Sequence, residues 1–507
     1  MGNGRYWLQT LGCPKNQVDS DKLAARLADD GYSSASGPGD ADLVVVNTCA
    51  FIEAARQESI DTVLELAGAR RAGARLVVTG CMAERYGTEL AAALPEVDLV
   101  AGFGVPLAPR LEGPLEGPLE GPRAVTPPPL AVPVALDAAR RGRRRGGLPA
   151  GPESPTVSFD LLELRRPAAG APWAYVKVAE GCDRICGFCA IPSFRGRQRS
   201  RTVEDVVREV ELLASGGPEG GGCSVREVVL VAQDLASYGR DRSRRQGGST
   251  PVDPLGGTGT HDRAGGGRPR GKPQPIVALT RAVAALVPRV RLLYLYPSGL
   301  TDELVTVVIE TGVPYFDLSL QHVSRPHLAR MRRWGDGERF LRRIAEIRRA
   351  EPAATFRSSF ILGYPGETEE DHDALLDFLR EAELDWAGFF PFSPEEGTHA
   401  VGLPDQVPAG LALERLGECA ELQDGITAGR RDALVGATRE VLVDAPGVAR
   451  TVHEAPEIDG IVHVPRGLPV GSLTDVVVTR SLGTDLVAAP GGSRGTGFAT
   501  VTTGGTR

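Results

Sequence analysis

The sequence predicts an α/β protein with an amino-terminal parallel sheet, a central full or partial β/α barrel and a small carboxy-terminal β-barrel. Three observations lead there. Apolar runs of strand length alternate with helical periodicity over residues 1–105 and again over 171–430. A low-complexity stretch, 106–170, separates the two. From about residue 431 the pattern changes to short strands parted by turn residues. A length of 507 residues suggests about three domains. The hydrophobic share of 42% supplies several cores and excludes a chain disordered throughout.

The elements follow in order. YWLQTLG, DLVVVNT (42–48) and RLVVTG (75–80) read as strands. Between them VDSDKLAARLADDGY, ending at Gly31, and FIEAARQESIDTVLELAGARRAG carry helical spacing. A βαβαβ order implies parallel strands with right-handed crossovers. Residues 106–170 hold LEGPLEGPLEGP (111–122), a proline cluster and RRGRRRGG (140–147), the composition of a partly flexible linker. From Trp173 come WAYVKVAE, VEDVVREVELLAS, REVVLVAQ, VALTRAVAALV, RLLYLY, DELVTVVIE, YFDLSL, FLRRIAEIRRA, FRSSFILG and EDHDALLDFLREAE. These make roughly six βα units. The Gly- and Arg-rich insert 240–275 reads as a disordered loop. REVLVD, DGIVHV and DVVVTR belong to a barrel over 431–490, and the tail 491–507 reads as frayed.

Lys+Arg number 57 against 65 Asp+Glu, a net charge of −8. That disfavours a generally basic nucleic-acid binder while leaving room for a local patch. No run of ~18 apolar residues suggests a membrane helix, and MGNGRYWLQTLGC lacks the basic and apolar regions of a secretory signal. A soluble, cytoplasmic protein with no membrane partner is expected.

Eight cysteines in such a chain read as metal or redox ligands before disulfides. Cys182, Cys186 and Cys189 are spaced C-x3-C-x2-C directly after WAYVKVAE, at the carboxyl mouth of the predicted barrel, where active sites are built. Three thiolates can hold three irons of a 4Fe–4S cubane and leave the fourth iron open for chemistry. A zinc knuckle would want a fourth Cys or His close by, and the loop has none. This loop resembles the radical S-adenosylmethionine (SAM) superfamily, which uses such an iron to bind and cleave SAM. The segment FILGYPGET (360–368), with Gly363 and Gly366, resembles that superfamily's Gly-rich segment near SAM. The resemblance further implies Gln233 and Arg357 as SAM contacts.

Cys13, Cys49 and Cys81 each follow a predicted strand immediately, at intervals of 36 and 32 residues. Carboxyl ends of parallel strands lie side by side, so the three thiols can converge on one site. Three separate buried structural thiols are the alternative; their equivalent placement favours convergence and a second three-thiolate cluster. Two open clusters suit sulfur insertion at an unactivated C–H bond, one generating a radical and the other holding sulfur. Cys223 and Cys419 read as free thiols.

LGCPKNQVDSDKL, VVNTCAFIEAARQESI, GCDRICGFCAIPSFRGRQRSR and VAQDLASYG resemble the methylthiotransferase family over nearly the whole chain, outside 106–170 and 240–275. The resemblance implies an amino-terminal cluster domain (1–105), a radical SAM core (171–430) and a TRAM barrel (431–490). One branch modifies an adenosine in tRNA. The RimO branch methylthiolates the β-carbon of an aspartate in ribosomal protein uS12. AFIEAARQESI after Cys49, LQHVS (320–324), SPEEGT (393–398) and EAPEIDG (454–460) are similar to the second branch. They imply Gln321, His322, Glu395 and Glu396 on the substrate side. From Asp444 to Asp485 six acids face three arginines, a bias that would repel phosphates and attract a basic protein. Phe392 and His399 depart from the branch's usual pattern. His322 reads as structural or substrate-side rather than as a metal ligand, because no His or carboxylate partner sits at ligand spacing. The resemblance also implies a second SAM as methyl donor, an electron donor such as flavodoxin or ferredoxin, and a sulfur source. The alternatives are a tRNA adenosine methylthiotransferase and a non-enzymatic, metal-bearing ribosome- or RNA-binding protein.

Overall fold

The computed structural model describes residues 4–108, 159–217, 222–245 and 274–491. The expectations for 109–158, 246–273 and 492–507 lie outside the described residues. The chain divides into two compact units, Met1–Ile426 and Thr427–Arg507.

The first unit opens with β1 (Arg5–Thr10), α1 (Pro14–Asp29), β2 (Ser33–Ser34), β3 (Leu43–Thr48), α2 (Glu53–Ala69), β4 (Arg75–Gly80), α3 (Cys81–Ala93) and β5 (Leu99–Val100). They form a five-stranded sheet in the order β2-β1-β3-β4-β5, parallel throughout. The three strands expected from sequence are its centre; the two-residue edges are too short to carry a periodic signal. β3 is buried along its whole length, which is why its sequence is a continuous β-branched run rather than an alternation. Both described ends of the expected linker belong to this layer. Val105, Leu107, Ala108 and Leu161 pack with Leu23, Leu27 and Val45, and Lys22 Nζ donates to the Leu162 carbonyl at 2.8 Å.

The core follows with β6 (Trp173–Lys177), β7 (Ala179–Glu180), α4 (Ile191–Phe194), β8 (Arg199–Ser200), α5 (Val203–Ala214), β9 (Glu227–Val231), α6 (Arg240–Arg245), α7 (Pro275–Ala284), β10 (Arg289–Leu292) and α8 (Asp302–Glu310). Then come β11 (Tyr315–Gln321), α9 (Arg325–Arg330), α10 (Gly337–Ala350), β12 (Thr355–Leu362), α11 (Glu369–Ala382), β13 (Trp386–Pro391) and α12 (Ala409–Asp432). Two parallel three-stranded sheets, β10-β9-β6 and β11-β12-β13, are joined by a parallel bridge from Leu295 to Leu318. The result is an open, six-stranded partial barrel. β13 was not named from sequence; WAGFFP is half-exposed and contains Gly and Pro, so it lacks a buried-strand signature. β10 stops before the predicted YLY because Tyr294 takes a φ of 65°, which no strand can continue through.

The second unit contains β14 (Thr438–Ala445), β15 (Val448–Arg450), β16 (Val462–His463), β17 (Leu473–Leu482) and β18 (Asp485–Pro490), closed into a barrel in the order β14-β15-β16-β18-β17. Val441, Val443, Val462, Val476 and Leu486 fill it. Two of the six acids counted from sequence are internal counter-ions here. Asp444 pairs with buried Arg450 at 2.6 Å, and fully buried Glu454 pairs with Arg431 and accepts from Thr451. Glu457 and Asp475 are exposed alongside Arg466 and Arg480, so the outward acidic excess is smaller than the linear count. No helix among the described residues is long and apolar enough to cross a membrane.

Candidate functional site

The strand ends of the first sheet place three thiols. Cys13 caps α1, Cys49 follows β3 and Cys81 opens α3 directly after β4. Neighbouring strands therefore deliver their cysteines to one edge. The approach is close. Gly12 and Gly80 have φ of 90° and 91°. A Cβ on Gly12 would stand 3.0 Å from Cys49 Sγ, and one on Gly80 would stand 2.2 Å from Asn47 Oδ1, so only glycine fits either turn. Asn16 laces the edge by donating to the carbonyls of Leu11 (2.9 Å) and Thr48 (3.0 Å), while Asn47 Nδ2 donates to the Asn16 carbonyl at 2.9 Å.

The second set lies in the loop after β7. Gly181, with φ of 76°, lets the chain turn against the Arg197 carbonyl, 2.3 Å from where a Cβ would sit. Gly187, between Cys186 and Cys189, lies over Tyr364, whose Oη would be 2.6 Å from a Cβ. The Gly-rich segment thus supports the cysteine loop from beneath. Arg333 Nη1 donates to Cys186 Sγ at 3.3 Å. The backbone N–H of Arg184 lies 3.4 Å from Cys182 Sγ, and its side chain pairs with Asp234 at 2.7 Å.

The electrostatics differ between the thiols: burial disfavours the thiolate at Cys49, Cys81, Cys182 and Cys189, whereas Cys13 is held toward it. Burial, with the nearby Cys81 and Cys13, pushes the Cys49 thiol up to about 12. Burial also raises Cys81 and Cys182, and with Cys186 it raises Cys189 to about 12. Cys13 is held below its ordinary value: burial raises it, but Lys15, Arg195 and two backbone N–H groups together outweigh that. Cationic irons remove the protons from such thiols outright. Two groups of three cysteines, with the arginine donors Arg195 and Arg333 alongside, fit clusters of the kind expected.

Buried charge links the two sets. Arg195, from the core loop, places Nη2 3.0 Å from Cys81 Sγ and Nη1 2.8 Å from Glu180 Oε1. Lys177 pairs with Asp19 of α1 and with Glu180, the latter at 2.6 Å. Glu395, 2% exposed, accepts from Arg56 of α2 at 2.6 Å and Arg85 of α3 at 2.7 Å.

The other residues singled out from sequence fall as follows. Gln233 Nε2 donates to Glu180 Oε1 at 3.1 Å, while its Oε1 is buried with no donor among the described residues. Arg357 pairs with Asp317 at 3.0 Å. Gly363 and Gly366 have positive φ, and the space that they leave is filled by Ala412 and Arg330 of the chain itself. Gln321 ends β11 with φ of 73°. Glu396 and His399 are exposed, and Phe392 meets Tyr364 edge-on. His322 is fully buried, its ring 4.4 Å from that of His327. Folding brings His322, His327 and Glu367 within 4.8 Å of one another, a grouping that linear spacing hid; Arg415 already pairs with Glu367 at 2.8 Å. Cys223 is half-buried and Cys419 fully buried, both as free thiols. Arg195, Lys15, Arg333 and Tyr294 were missed; the first two lie inside quoted motifs, Lys15 two residues past Cys13 and Arg195 six past Cys189. A separate cavity of about 830 Å³ is lined by Asp160, Arg166, Arg199, Arg201 and Glu209 and by none of the six cysteines.

Comparison with known proteins places this architecture. Residues 5–102 match Uncharacterized protein family UPF0004, 176–379 the Radical SAM superfamily and 435–490 the TRAM domain. The ribosomal protein uS12 methylthiotransferase RimO of Moorella thermoacetica is 40% identical over 93% of this chain and 95% of its own. Its namesake in Salinispora arenicola is 40% identical over 96% of each chain. That of Frankia casuarinae is 38% identical over 96% of this chain and 92% of its own.

Proposed function

The chain belongs to the RimO family of ribosomal protein uS12 methylthiotransferases, and from that premise we propose that it inserts sulfur and a methyl group at the β-carbon of an aspartate in uS12. The observation that carries the reading is the presence of two three-cysteine sets in one compact unit, tied by Arg195 and Glu395. Cys182, Cys186 and Cys189 would hold one 4Fe–4S cluster; Cys13, Cys49 and Cys81 would hold the other. When bound, the clusters and SAM supply reductive SAM cleavage, hydrogen abstraction from the β-carbon, and donation of sulfur and methyl.

The chain's own residues bind, balance and enclose. Arg195 and Arg333 set positive charge and N–H donors against Cys81 and Cys186, which favours the more negative, reduced state of a thiolate cluster. Gln233 Oε1, buried and lacking a donor among the described residues, suits the amino group of SAM. Arg357, held by Asp317, completes the SAM side, to which Gly363 and Gly366 contribute through their backbone turns, since Ala412 and Arg330 occupy the space that their missing side chains leave. Gln321, His322, Glu395 and Glu396 form the substrate side, with His322 and Glu395 acting from beneath the surface as positioning residues. Electrons come from an external low-potential donor such as flavodoxin or ferredoxin, sulfur comes from an external source, and the reaction takes place in the cytoplasm.

The test is the intact mass of uS12 after anaerobic incubation with reconstituted enzyme, SAM, sulfide and reductant, with tRNA in parallel. A methylthio mass gain on uS12, lost with Cys49→Ala, is expected. Methylthio-adenosine in the tRNA digest with uS12 unchanged would overturn the substrate while leaving the chemistry in place.

A further inference from the structure

The described residues include three lysines, all buried, and they differ in one respect. Lys22 donates to the Leu162 carbonyl and lies 3.7 Å from Glu209. Lys177 pairs with Asp19 and Glu180. Lys15 is 8% exposed, yet among the described residues it has no carboxylate within ion-pair distance and no hydrogen-bond acceptor for Nζ. Its ammonium instead stands 3.4 Å from the centre of the Tyr294 ring. The nearest acids are already engaged. Asp317 holds Arg357 and the Tyr294 backbone N–H, and Glu180 holds Lys177 and Arg195.

A buried ammonium whose surroundings among the described residues are an aromatic face and the Cys13 sulfur, with no acid paired to it, is incompletely compensated. Tyr294 adds a second sign. Its φ of 65° is unusual for a bulky residue, and Asp317 Oδ2 fixes it by accepting its N–H at 2.8 Å. Strain of this kind persists where function requires a fixed side chain. The position is equally suggestive. Lys15 lies two residues past Cys13. Tyr296, on the same loop as Tyr294, sits under Arg184 and Arg333, and Arg333 donates to Cys186. The loop after β10 therefore touches the surroundings of both cysteine sets.

We propose that Lys15, backed by the face of Tyr294, is an anion subsite that takes the carboxylate of the acidic side chain to be modified. The proposal rests on the reading of a protein aspartate as substrate. The β-carbon is bonded directly to that carboxyl carbon, so holding the carboxylate beside Cys13 holds the reacting carbon there too. A nucleobase offers no such anion.

The test uses reconstituted full-length enzyme with SAM and no reductant, and two uS12 loop peptides that carry Asp or Asn at the target position. Binding is read by fluorescence anisotropy at matched iron content. Wild type should prefer the Asp peptide by about 10-fold or more, the scale of a charge-assisted hydrogen bond. Lys15→Met should bring the ratio close to one, and Lys15→Arg should retain most of it. Should Lys15→Met fail to load iron, Tyr294→Leu keeps the cation and removes its support, and its ratio should fall several-fold. An unchanged ratio in the iron-loaded variant, or no Asp preference in wild type, overturns the subsite. Wild type that modifies tRNA and not uS12 overturns the substrate reading, and the subsite with it; wild type that modifies uS12 while Lys15→Met still discriminates overturns the subsite alone.

Discussion

Arg195 Nη2 lies 3.0 Å from Cys81 Sγ, although the two residues belong to different layers of the first unit. The guanidinium is 3% exposed and also serves Glu180 and Asp19. One side chain thus balances two buried carboxylates while facing the sulfur of the amino-terminal cysteine set.

Removing that charge should be costly. Arg195→Gln leaves Glu180 and Asp19 with Lys177 as their remaining cation and should destabilise the first unit by about 3–5 kcal/mol. In protein that still loads iron, the potential of the amino-terminal cluster should fall, because a donor and a positive charge favouring the reduced state are gone. Redox titration followed by EPR reads this, and Arg195→Lys should restore part of the potential. A potential equal to wild type in Arg195→Gln would remove the electrostatic role.

The turns before Cys13 and Cys81 should tolerate no side chain. Gly12→Ala and Gly80→Ala combine positive φ with overlap against Cys49 and Asn47, a strain of about 1–3 kcal/mol before the overlap is counted. Iron after reconstitution should drop from about eight per chain to about four, with the loss confined to the amino-terminal set. Full iron loading in Gly80→Ala would contradict the close approach.

Glu395 fastens the loop after β13 to α2 and α3. Glu395→Gln weakens two charge-assisted bonds to Arg56 and Arg85, a change of about 1–3 kcal/mol. Hydrogen exchange should quicken by about 10-fold or more at the start of α2 and in the 393–398 loop, with the β14–β18 barrel unaffected. Unchanged exchange at both places would mean that the pairs hold nothing together.

Acid should loosen the core through His327. Burial holds its folded value down to about 4, against an ordinary 6.5. Between these values the unfolded chain binds more protons, so this contribution is complete above about 6.5 and declines as the pH falls toward 4. At most about 3 kcal/mol is involved. Thermal midpoints measured from pH 7.5 to 5.0 should fall more for wild type than for His327→Gln; parallel falls would remove His327 as the cause.

Much of this was legible in linear form. RLVVTG is β4 to the residue, and DLVVVNT lost only its first residue. The six cysteines could be singled out because Cys49 and Cys81 directly follow strands, Cys13 lies in the turn after one, and Cys182, Cys186 and Cys189 share the loop after β7; strand ends are local features of apolar runs and glycine turns. The barrel of the second unit announced itself by its change of period. Local signals failed where an element was short or half-exposed, as for β2, β5 and β13, or where strain cut one off, as Tyr294 does to β10.

The sequence by itself determined the order of domains, the parallel sheet edge and the two cysteine sets, because periodicity and spacing record what neighbouring residues do. Only the tertiary structure decided which cations face those sulfurs, that Lys15 meets an aromatic ring instead of an acid, that Glu395 turns inward to two arginines, and that Asp444 and Glu454 are internal counter-ions rather than an outward charge. The physical reason is range: strand and helix formation is set within a few residues, whereas a buried charge takes its partner from whatever distant segment the packing brings within about 4 Å.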